Sequence, residues 1–131
     1  MILSDSDHEI LSVLCKNYRF KGLGNKTALH ALTRKLQKAF IVSSEDVPPD
    51  VVTINSLLRV TELGSGYTFM CSVVLPWEAS IENRRLSVLS GIGVAMLGES
   101  VGQIVMCRGR TRLLLMVIEK LIERALPVAS S

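Results

Sequence analysis

The hydrophobic period of the chain changes once, across Val47-Pro48-Pro49-Asp50. Before the prolines, apolar residues recur at three- and four-residue spacing, as in helices with one buried face. After them, Val52, Ile54, Leu58 and Val60 alternate with Thr53, Asn55, Arg59 and Thr61, the mark of a half-buried strand. Adjacent prolines forbid helix continuation and hold the chain extended, so the boundary falls here. The reading is α+β: a short antiparallel helical hairpin over residues 1–44, a linker over 45–50, and a β domain over 51–131.

In the helical part, Ser6 and Glu9 have the spacing of a capping box. The first helix comes next, with Ile10, Val13 and Leu14 as its apolar stripe and an end near Tyr18–Phe20. Gly22, Gly24 and Asn25 make Lys21–Lys26 a turn. A second helix, capped by Asn25 or Thr27, places Leu29, Leu32, Leu36, Ala39 and Phe40 on one face and His30, Arg34 and Lys38 on another. Helices this short are marginal alone and must pack on each other and on the β domain. Met1–Asp5 and Pro127–Ser131 are expected to fray.

In the β part, Gly64-Ser65-Gly66 turns the chain into a second strand carrying Tyr67, Phe69, Cys71 and Val73 on one face. Phe40 and Phe69 read as core. Glu78–Arg85 reads as loop and Leu86–Leu89 as a short strand. Ser90 caps a short helix that stops before Gly98. Gln103–Cys107 is another strand, and Arg108-Gly109-Arg110 a turn. The last apolar run is open on periodicity alone: a strand over Thr111–Glu119 or a helix over Leu113–Leu126.

The chain has 131 residues, 48% of them hydrophobic, which is enough for a real core. The net charge is only +3, but from Cys15 to Phe40 there are Lys16, Arg19, Lys21, Lys26, Arg34, Lys35 and Lys38 and no acid. Such a surface attracts anionic partners or is simply solvated. Tyr18 and Phe20 lie among these cations and could stack on bases, so a basic nucleic-acid-binding module is the alternative reading. Cys15, Cys71 and Cys107 are too widely spaced for a metal knuckle and read as free thiols in a reducing cytoplasm. With neither a signal peptide nor an 18-residue apolar stretch, no membrane contact is expected. His8 and His30 stand alone on helix surfaces, and no nucleophile elbow or phosphate loop occurs. The expectation is a monomer with no metal, no cofactor and no catalytic residue.

Two segments carry a family resemblance. Ser90-Gly-Ile-Gly93-Val-Ala95-Met-Leu97-Gly98, followed by Val101-Gly102, resembles the Gre transcript-cleavage factors' Ser-Pro-Leu-Gly-x-Ala-Leu-Leu-Gly with its following Val-Gly-Asp. Pro48-Pro49-Asp50-Val51-Val52-Thr53-Ile54-Asn55-Ser56 resembles the short Gre homologues known as regulators of nucleoside diphosphate kinase. The resemblance covers nearly the whole chain. It implies an FKBP-like, antiparallel β C-terminal domain with one short helix, without implying isomerase activity, and it favours a strand for Thr111–Glu119. It also implies RNA polymerase as partner, with the C-terminal domain at the rim of the secondary channel, the hairpin pointing inward, and competition with Gre factors. On that basis docking is expected through Ser90, Gly93, Met96 and Leu97, and hairpin-tip contacts through Arg19, Lys21 and Lys26; a weak contact with nucleic acid is also allowed.

The chain departs from the family pattern at Gly91, at Gln103 and at Arg108-Gly109-Arg110, where the family has proline, aspartate and Pro-Gly-Gly. Gre factors hold Mg²⁺ with an acidic tip on a long coiled coil. Here the first helix is expected to span about 15 Å, and the tip Lys21–Lys26 has no carboxylate. Transcript cleavage is therefore not expected, on reach and on charge.

Overall fold

The computed structural model describes residues 1–109 and 111–124. Arg110 of the expected turn and the expected fraying segment Pro127–Ser131 lie outside them. The order is β1 (Ile2–Ser4), α1 (Asp5–Lys21), α2 (Lys26–Lys38), β2 (Phe40–Val42), β3 (Ser56–Glu62), β4 (Thr68–Val74), β5 (Arg85–Ser87), α3 (Gly91–Met96), β6 (Ile104–Arg108) and β7 (Leu113–Glu123). The fold is α+β, with an N-terminal helical hairpin and a C-terminal β domain, as expected. The five-stranded sheet runs β5-β4-β3-β7-β6. It is mixed rather than wholly antiparallel, because β4 and β5 pair in parallel.

The hairpin departs from expectation at both ends. Residues 1–5 do not fray: β1 pairs in parallel with β2, Ile2 opposite Phe40 and Ser4 opposite Val42. The cap is Ser4, not Ser6; its Oγ accepts from the Asp7 N–H at 3.0 Å. The helix then passes Phe20 and ends at Lys21, where Gly22 takes a left-handed φ of 65° and its N–H reaches the Arg19 carbonyl. These 17 residues give α1 about 26 Å, well beyond the expected reach. Asn25 caps α2 by accepting from the N–H groups of Thr27 and Ala28.

Phe40 is not core. α2 stops at Lys38, the backbone turns into β2, and the Phe40 ring is 73% exposed. Phe69 is half-buried, packed against the core and stacked on Tyr67 at 5.6 Å between ring centres. The first half of the expected long strand is instead a turn: Asn55 sits at a φ of 70°, and the Thr53 N–H donates to Ser56 Oγ. Val52 and Ile54 are buried all the same. The last apolar run resolves as a strand, four residues longer at its end than the resemblance implied. It pairs with β3 on one side and β6 on the other, and those partners decide the matter that periodicity left open.

One connected core joins the two parts. Leu11 and Leu32 of the hairpin share it with Leu58 and Val60 of β3, Met96 of α3 and Ile118 of β7, all fully buried. Burying a side chain of this size contributes about 1.5–3 kcal/mol. The expected linker packs too: Val47 is buried, and the Arg124 guanidinium donates to the carbonyls of Val47, Pro48 and Val51. No helix among the described residues is long and apolar enough to cross a membrane.

Candidate functional site

The segment from Ser87 to Gly98 is held by backbone close approach. Ser90 Oγ accepts from the Gly93 N–H at 3.0 Å and donates to the Ser87 carbonyl at 2.7 Å. A Cβ on Gly93 would lie 2.0 Å from that carbonyl oxygen, and one on Gly91 would lie 2.1 Å from the Arg108 carbonyl oxygen. Glycine at 91, where the family pattern has proline, therefore lets the end of β6 press directly on α3.

This packing sorts the four expected docking residues. Ser90 is half-buried at the surface; Gly93, Met96 and Leu97 are buried. Met96 and Leu97 have no exposed area, so their side chains present nothing to a partner. Gly93, Met96 and Leu97 stand at helical spacing i, i+3 and i+4, so they share one face, and that face is the core side. That spacing was the available sequence signal for burial.

Lys35 carries more weight than its place in the basic row suggested. Its Nζ lies 3.1 Å from Glu99 Oε2, donates to the Ala95 carbonyl at 3.0 Å and also donates to the Leu97 carbonyl. The ammonium thus caps the C-terminal end of α3 from α2, where a cation suits the helix dipole. Burial pushes its pKa below the ordinary lysine value, against the opposing attraction of Glu99. Asp7 makes a second tie: its Oδ2 accepts from the Ile54 N–H at 3.2 Å, and burial raises its pKa. His8 is not a free surface histidine either; its Nε2–H donates to the Leu36 carbonyl at 2.9 Å, joining α1 to α2.

The three expected tip cations are exposed and flank the turn in sequence. Arg19 donates to Thr33 Oγ1 at 3.1 Å; Lys21 ends α1 and Lys26 begins α2. The tip itself lies against the sheet domain: a Cβ on Gly24 would be 3.0 Å from the Tyr18 ring and 3.9 Å from Leu89. The hairpin therefore lies along the domain. Tyr18 is spent in that packing, whereas Phe20 is 92% exposed.

α1 buries Leu11, Leu14 and Cys15. Ile10 and Val13, expected on the buried stripe, are exposed and line a groove of about 460 Å³ with Leu23 and Trp77. Five apolar residues within six positions left the inward face of α1 ambiguous.

Among the described residues no cluster of histidine, cysteine or carboxylate side chains could hold a metal. All three cysteines are buried free thiols. Burial pushes Cys71 and Cys107 up to about 11 and raises Cys15, so none is a reactive thiolate near neutrality. A thiol-specific colorimetric reagent is expected to label none of them in the native chain within minutes and all of them in denaturant. Rapid native labelling would contradict the packing.

The domain that carries Ser90 and α3 defines a class of protein. The family model described as "Transcription elongation factor, GreA/GreB, C-term" matches residues 47–119. A relative from Escherichia coli, named regulator of nucleoside diphosphate kinase, is 34% identical over 102 residues, which are 78% of this chain and 73% of that protein. The chain belongs to the Gre transcription-factor family, in its branch of regulators of nucleoside diphosphate kinase. The transcription elongation factor GreA of Alkaliphilus oremlandii is 32% identical over 77 residues, 59% of this chain and 48% of its own length. A solved prokaryotic transcription elongation factor GreA/GreB from Nitrosomonas europaea has a TM-score of 0.74 at 26% identity, covering 92% of this chain and 96% of that one.

Proposed function

We propose that this chain is a non-catalytic regulator that binds RNA polymerase near its secondary channel, competes there with the longer Gre factors, and does not stimulate transcript cleavage. The observation that carries the reading is the Gre-type C-terminal domain, with its Ser90-capped α3 held in a single geometry by Gly93 and Lys35. In this reading Ser90 presents the docking surface, Gly93, Met96 and Leu97 support it from beneath, and Arg19, Lys21 and Lys26 add cations at its margin. Two features argue against cleavage: no carboxylate stands between Lys21 and Lys26 to hold Mg²⁺, and the hairpin lies along the domain.

Gel filtration with core polymerase at low salt is expected to show co-elution, reversed by an excess of a Gre factor. Backtracked complexes should show no cleavage above background. Replacing Lys21 and Lys26 together with alanine should weaken binding about threefold to tenfold, chiefly through the association rate. Absence of co-elution at low salt would sink the reading.

A weak contact with single-stranded nucleic acid is the second reading, favoured by Phe20 standing exposed beside Arg19 and Lys21. Its mark would be an affinity that falls steeply with salt and is lost on Phe20→Ala.

A further inference from the structure

The hairpin lies against the sheet domain so as to leave a two-lobed cleft between α2 on one wall and α3 with β6 on the other. One lobe, about 430 Å³, has an apolar floor from Ala31, Ala95, Met106 and Leu113. The adjoining lobe, about 480 Å³, is edged by His30, Arg34 and Lys38 of α2 and by Arg108 of β6. Thr27, Ala31, Lys35 and Arg108 line both, so the two lobes adjoin.

Its electrostatics are one-sided. Among the described residues, no aspartate or glutamate lines either lobe. Among the described residues, His30, Arg34, Lys38 and Arg108 have no ion-pair partner, whereas Lys35 has Glu99. The three α2 side chains succeed one another at four-residue spacing, about 6 Å apart along the axis. Meanwhile Met106 is 64% and Leu113 is 54% exposed on the apolar side, with nothing among the described residues to cover them. The walls are fixed relative to each other by the Lys35–Glu99 bridge and by the approach of the Arg108 carbonyl to Gly91.

We propose that this cleft binds a nucleoside di- or triphosphate, its phosphates on Arg34, Lys38 and Arg108 and its nucleoside body over the apolar floor. The ligand must present a polyanion and an apolar face together, and the volume is that of a small-molecule site. Guanidinium and ammonium groups supply the charge-assisted hydrogen bonds that phosphate oxygens take best. Inorganic phosphate would leave the apolar lobe empty. An extended nucleic-acid strand would track the α2 row without needing that lobe.

Calorimetry on the isolated full chain tests this independently of any polymerase. The probes are ATP, inorganic pyrophosphate and a single-stranded RNA dodecamer, at low salt without Mg²⁺. ATP is expected to bind at least about tenfold more tightly than pyrophosphate, with Kd below about 1 mM. Arg34→Ala with Arg108→Ala should weaken both ligands about tenfold or more. Met106→Glu, at an exposed strand position that leaves folding intact, should abolish the preference for ATP over pyrophosphate. No ATP binding below about 1 mM, equal affinity for pyrophosphate, or tighter RNA binding with a steep salt dependence would each overturn the proposal.

Discussion

Replacing Gly93 with alanine is expected to lower the melting temperature by roughly 10 °C. The added methyl would lie 2.0 Å from the Ser87 carbonyl oxygen and 2.9 Å from Ser90 Oγ. Neither can retreat freely. The Ser87 carbonyl already accepts from the Ser90 N–H and from Ser90 Oγ, and that Oγ caps α3. Relief requires α3 to lift away from β5, uncovering Met96 and Leu97. Overpacking of this kind costs about 3 kcal/mol, and at roughly 3 °C per kcal/mol for a chain of this size the shift is of that order. Circular dichroism melts at matched concentration would show it. An unchanged melting temperature would mean that the helix and the strand end do not approach as closely as described.

Lys35→Met is the second large effect, about 2–3 kcal/mol of destabilisation. The substitution keeps the apolar stem but strips the donor from the Ala95 and Leu97 carbonyls and leaves Glu99 without its partner. The lysine side chain is 15% exposed, so some water reaches the vacated position and holds the loss below that of a fully enclosed pair. Its pH dependence has a definite sign. Because burial lowers the folded-state pKa of Lys35 below 10.5, the unfolded chain binds more protons in the interval between the two values. The wild-type chain therefore gains stability from this group as pH rises through that interval. The variant has no such group, so the gap between wild type and variant should widen from neutral pH towards 10.5. Denaturant titrations of both proteins, one pair near neutral pH and one pair in the alkaline interval, measure this; a gap that narrows would contradict the buried ammonium.

Some of this is legible in the chain because the determinants are local. The helix after Ser90 is readable from its cap to Gly98, since a hydroxyl on one side and a glycine on the other are sufficient instructions. The β3–β4 hairpin comes from alternation around Gly64-Ser65-Gly66, and the Gre resemblance is carried by the motif residues themselves. What is not legible depends on partners far along the chain. Ile2–Ser4 has no strand signal of its own and becomes one only because residues 40–42 lie beside it. Lys35 belongs to the same basic segment as Arg34 and Lys38, and only the end of α3 distinguishes it. Phe40 has the spacing of the α2 stripe, but the helix ends two residues earlier. Of the residues expected to dock, Ser90 reaches the surface, whereas Met96 and Leu97 are wholly within the core.

The strand order has a consequence for synthesis on the ribosome. β3 sits at the centre of the sheet, with β4 on one side and β7 on the other. β4 comes directly after it in the chain, but residues 113–123 of β7 are translated long afterwards. Until they emerge, one edge of β3 is open, and Met116 and Ile118 are missing from the core that Leu11 and Leu32 are waiting to join. An unpaired apolar strand edge is a template for wrong pairing with other chains. Translation that stalls before residue 113 should therefore yield nascent chains that cannot close, however well their hairpin has formed.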